Sequence, residues 1–162
     1  EIWFVPDSDY RGFLERRVDG LEEKVGGGNF IDKNGKILGQ HKGYPFYTIG
    51  QRKGLDIALG RPMYVSAIHP DTNTVVIGDE EELERAEMHV SKLNYIKYGA
   101  INEGMPALTK IRYKSSPVVS SLHHAAGGIK VSFGTAVKGI APGQSAVFYE
   151  GEDVIAGGII MY

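Results

Sequence analysis

The sequence contains no cysteine, and that absence removes disulfide frameworks, thiolate metal centres and cysteine nucleophiles together. It also lacks an apolar run long enough to cross a bilayer, and it opens with no signal-peptide pattern. No Walker-type loop, dinucleotide fingerprint or defensible Ser-His-Asp order occurs. Histidine is badly placed for metal. His41, His69 and His89 have no second donor at ligand spacing, and His123 and His124, adjacent on a strand, point to opposite faces. Together these absences fit a cytoplasmic protein with no membrane partner, no metal site and no catalytic residues of its own.

What the chain has in quantity is glycine, 22 in 162 residues, spread without a collagen-like period. That density suits many short strands joined by tight turns. The first residue is Glu1, and Glu1 to Val5 reads as the inside of a strand, so the chain is taken as a piece of a longer one.

After Pro6, Ser8 or Asp9 is placed to cap a helix carrying Tyr10, Phe13, Leu14 and Arg17 at helical spacing. Asn34-Gly35 between Ile31 and Ile37 signals a hairpin with a tight turn. Tyr64-Val65 and Val75 to Ile77 read as strands around a turn at Pro70 to Asn73. "EEELERAEM" predicts a turn or two of helix. From residue 90 onward only strands are expected, six of them, and closure into a barrel removes their open edges.

The net charge of −2 hides a split. Residues 1–89 hold 11 Lys and Arg against 16 Asp and Glu, whereas residues 90–162 hold 7 against 4. Between Lys33 and Tyr64, six cations face Asp56 alone. The acidic run Asp79 to Glu84 has no apolar frame and reads as a solvated face rather than paired catalytic carboxylates.

Three segments have the character of binding surfaces. In "YTIGQRKGL", glycines allow close backbone approach, Arg52 and Lys53 are suited to phosphates, and Tyr47 offers a stacking face. In "KIRYKSS", alternation along a strand would put Lys110, Arg112 and Lys114 on one face, with Tyr113 opposite unless the strand bends. In "APGQSAVFY", Gln144 follows a Pro-Gly turn at a rim. Each has a structural alternative: ion pairing for the cations, core packing for Tyr47 and Tyr113, and a turn for Gln144. In combination they favour RNA.

"GKILGQHKGYPFYTIGQRKGL", "PMYVSAIHPDTNTVVIG", "KIRYKSS" and "IAPGQSAVFYEGEDVIAGGII" closely resemble the central and C-terminal domains of bacterial tRNA-specific 2-thiouridylases, from about Ile2 to Ile160. The resemblance implies a mainly β (α+β) chain in three parts. Residues 1–20 would be a strand and helix from the link to a missing N-terminal catalytic domain. Residues 21–89 would form a small β-rich central domain, and 90–162 a six-stranded antiparallel barrel like those of translation factors.

It implies tRNA as partner, a sulfur-carrier protein as a second, and a parent reaction that uses ATP and a persulfide to make 2-thiouridine at the wobble position. ATP and Mg would belong to the missing domain, leaving this fragment without cofactor and inactive. The family's tRNA-contacting Arg-Tyr pair falls on Arg112 and Tyr113, and its Gln on Gln144. Arg52, Lys53 and Lys114 add cations to the expected RNA surface. One position departs. Trp3 stands where the family carries its persulfide cysteine, so no catalytic residue is carried over. That leaves a divergent paralogue, acting as a tRNA- or protein-binding module, or a sequence altered at its cut end.

Overall fold

The computed structural model describes residues 9–57 and 60–161, so Trp3, Ser8 and the strand expected over residues 1–5 lie outside the described residues. Two compact units divide between Glu82 and Leu83.

The first unit opens with helix α1, Tyr10–Arg17, where the Asp9 carboxylate accepts from the Gly12 N–H at 2.9 Å as the N-cap. A single turn of helix follows, α2, Leu21–Val25. Four strands then form a sheet: β1 Gly28–Ile31, β2 Ile37–His41, β3 Tyr64–His69 and β4 Thr74–Gly78. Their order is β2-β1-β4-β3, two antiparallel hairpins joined by a parallel β1–β4 pair. Phe30, Leu55, Val65, Val75 and Ile77 are its buried core.

Ile31 and Ile37 do pair across the first hairpin. Its turn, however, is wider than the tight one expected at Asn34-Gly35. Only Gly35 takes a positive φ, +83°, and the Asp32 carboxylate organises the loop by accepting from the N–H groups of Asn34 at 2.8 Å and Lys36 at 2.9 Å. The second hairpin turns through a 3-10 segment at Pro70–Thr72, closed by Asn73 in the left-handed region.

The second unit is a closed barrel of six strands. They are β5 Glu84–Tyr95, β6 Met105–Lys110, β7 Val118–Ala125, β8 Gly128–Lys138, β9 Ser145–Glu150 and β10 Asp153–Ile160. Their cyclic order is β10-β5-β8-β7-β6-β9, and every pair is antiparallel. Val90, Leu122, Val131, Phe148, Ile155 and Ile160 are buried inside it.

Two expectations about local structure fail here. The helix expected in "EEELERAEM" shrinks to a 3-10 turn at Glu80–Leu83, and Glu84 to Met88 are strand. Cross-strand ion pairs explain the override: Glu84 meets Lys138 at 3.6 Å and Glu87 meets Lys130 at 3.0 Å. The strand expected through "KIRYK" ends at Lys110, and the chain bends and turns over residues 111–115. Lys110, Arg112 and Lys114 are therefore not a row on one strand face.

Candidate nucleic-acid interface

The loop 47–55 is held at both sides and open at its crest. Tyr47 packs edge-on against Phe30, with ring centroids 5.1 Å apart, and against His41 at 5.5 Å, so its ring belongs to the core and is not a stacking platform. Ile49 and Leu55 join the same core. The backbone is stitched to β3, with the Gly50 N–H donating to the Val65 carbonyl at 2.8 Å and Val65 returning a bond to Gln51 at 2.9 Å.

Gln51 closes the loop on itself. Its side-chain oxygen accepts from the Thr48 N–H at 3.1 Å, and its amide donates to the Lys53 carbonyl at 2.9 Å. With Gly50 at φ +85° and Gly54 at +72° supplying the reversals, Arg52 and Lys53 are left exposed on the crest. Neither has an ion pair among the described residues. A groove of about 560 Å3 runs beside them, lined in part by Arg52, Asp56, Arg61 and Met63.

Two other cations of this unit are committed. Arg61 pairs with Asp79 at 2.9 Å, and Lys33 lies 3.9 Å from Glu82. The acidic run is thus partly a partner for the basic stretch rather than only a solvated face. His41, under the loop, is 4% exposed and its Nδ1 accepts from the Gly43 N–H at 3.0 Å. Burial lowers its pKa, opposed in part by a hydrogen bond with the Asn73 backbone.

In the barrel, the turn after β6 carries the Arg-Tyr pair. Ile111 is buried and anchors it, and the Arg112 carbonyl accepts from Ser115 twice, from its N–H at 3.2 Å and its hydroxyl at 2.9 Å. Tyr113 is 90% exposed, far beyond a core aromatic, with the Lys110 ammonium 5.8 Å from its ring centre. Arg112 Nη2 donates to the Gly139 carbonyl at 2.8 Å, and Lys114 is exposed on the same turn.

Gln144 stands at the start of β9, on the loop that begins at Gly139. Its backbone is fixed by bonds to the Ala141 carbonyl and the Ile160 N–H, while its side chain is exposed. Because the last residue of β6, Lys110, pairs with Val147 of β9, the Arg112-Tyr113 turn and Gln144 share one end of the barrel. The structure therefore brings Arg112, Tyr113, Lys114 and Gln144 together within this unit, beside Lys110. The loop bearing Arg52 and Lys53 belongs to the other unit.

Two contributors had no distinct signal in the sequence. Gly139 is one glycine among many, and the bond from Arg112 to its carbonyl spans 27 residues. Gln51 is an ordinary polar loop residue until the fold shows both its bonds. Away from this end, Glu103 accepts from the His123 ring at 2.7 Å and from the His124 N–H at 2.7 Å. Among the described residues no group of three or more His, Cys, Asp or Glu is arranged to hold a metal.

Residues 12–79 match the family model described as the tRNA methyl transferase PRC-barrel domain, and residues 85–160 match that of the aminomethyltransferase beta-barrel domain. The tRNA-specific 2-thiouridylase MnmA of Amoebophilus asiaticus is 53% identical over 161 residues, covering 99% of this chain and 43% of the relative. That of Cytophaga hutchinsonii is 52% identical over 162 residues, with 99% and 44% covered. That of Salinibacter ruber is 47% identical over 161 residues, with 99% and 42% covered. The chain spans less than half the length of these curated relatives. It belongs to the tRNA-specific 2-thiouridylase family, and it matches the central and C-terminal part of that family's proteins.

Proposed function

We propose that this chain is the tRNA-docking part of a tRNA-specific 2-thiouridylase. Such a protein would use ATP and a persulfide to convert the wobble uridine to 2-thiouridine. The observation that carries this is the barrel end where exposed Tyr113 and Gln144 stand beside Arg112, Lys110 and Lys114. It offers what single-stranded RNA needs: a bare aromatic face for a base, cations for the backbone, and an amide for a base edge.

The exposed crest of Arg52 and Lys53 supplies further phosphate contacts in the same proposal. With no cysteine, the chain itself carries no persulfide, and ATP, Mg and a sulfur-carrier partner fall to the rest of such a protein. The described residues contain no helix long and apolar enough to cross a membrane, and a cytoplasmic address, where tRNA is modified, belongs to the proposal. Trp3 at the cysteine position favours a second reading, a module that holds tRNA without modifying it.

The test is titration of the 162-residue chain with tRNA over a range of salt. Binding is expected to weaken steeply with salt, Arg112→Ala to reduce the slope of log K against log salt by about one, and Tyr113→Ala to cost about 1–3 kcal/mol. Binding to tRNA no tighter than to an acidic control protein at low salt would remove the proposal.

A further inference from the structure

Gly139 is a buried knot between three segments of the barrel. Its N–H donates to the Leu83 carbonyl at 3.2 Å, just before β5, and its carbonyl accepts from Arg112 Nη2 at 2.8 Å. Its φ of +70° is one that side-chain-bearing residues rarely adopt. A Cβ added there would stand 2.5 Å from Nη2 and 3.2 Å from Cζ of Arg112. Glycine therefore meets two separate conditions at this position: a left-handed backbone, and a guanidinium packed where a side chain would be.

We propose that Gly139 is a positioning residue for Arg112, an inference that rests on the RNA-docking reading. Its carbonyl takes one of the guanidinium's five N–H donors and fixes the plane of the fork. The remaining donors stay on an exposed residue, already oriented before a phosphate or base edge arrives, so less side-chain freedom is lost on binding. The double anchorage of the Arg112 carbonyl by Ser115 fixes the backbone end of the same side chain. Arg112 is thus held at both ends, while Lys110 and Lys114 on either side act as point charges.

A thermodynamic cycle on the 162-residue chain tests this. Gly139→Ala is expected to weaken tRNA binding about tenfold, as Arg112→Ala does, and to add nothing in an Arg112→Ala background. Arg112→Lys leaves Gly139 untouched and keeps the charge but not the fork, and it is expected to bind more weakly than the unaltered chain. A readout without RNA is the heteronuclear NOE of the Arg112 side-chain Nε–H, expected to be high in the unaltered chain and low in Gly139→Ala. An unchanged NOE, a Gly139→Ala loss that persists in full without Arg112, or a lysine that binds as well as arginine would each overturn the inference and leave RNA docking intact. Absence of tRNA binding by the unaltered chain would overturn the docking reading, and this inference with it.

Discussion

His41 sits edge-on between Phe30 and Tyr47, with its Nδ1 occupied by the Gly43 N–H. Protonation would set a ring donor against the Gly43 donor inside an apolar cluster, so the neutral ring is the form the fold accepts. Burial holds the pKa below its ordinary 6.5. A depressed histidine binds fewer protons folded than unfolded, so its contribution is complete above 6.5 and is lost as pH falls below that value. The urea midpoint of the unit 1–82 is expected to drop between pH ~7.5 and pH ~5, and to drop less in His41→Gln. Equal declines in both proteins would assign the effect to other groups.

At the scale of loops and strands, the latch formed by Gln51 explains how a short cationic segment stays raised from a sheet. Gln51→Ala leaves the Thr48 N–H and the Lys53 carbonyl without their partners. We expect faster amide exchange at Thr48 and a loss of about 1–2 kcal/mol in stability, read by exchange mass spectrometry and urea melts. Unaltered exchange at Thr48 would mean the loop is held by its hydrophobic anchors alone.

Much of this level was legible in the sequence. Proline and asparagine marked the turn at 70–73, and six strands without a stable open edge implied a closed barrel. What was not legible depended on distant partners. Alternation in "KIRYK" mimics a strand, but β6 stops at its last pairing with β9, and Ile111 turns inward on its own. Tyr47 looked available for stacking because nothing local announces Phe30 and His41 as its neighbours. The acidic run resembled a helix start until the lysines of β8 were seen opposite it.

Over the whole molecule, the two units dispose of their strand edges differently. The barrel has none, because β9 and β10 close the ring. In the four-stranded sheet, β3 is an outer strand whose Val65 already exchanges bonds with Gly50 and Gln51. β2 is the other outer strand, and its Ile37 is 61% exposed. Among the described strands it is paired on one side only, which leaves its outer side open to a stranger's backbone. Crowded preparations of this chain should therefore stick together first through β2, seen as light scattering that grows with concentration. Ile37→Lys should delay that onset without altering the melting of either unit, since a hydrated ammonium at such a border repels a docking neighbour and disturbs no interior contact.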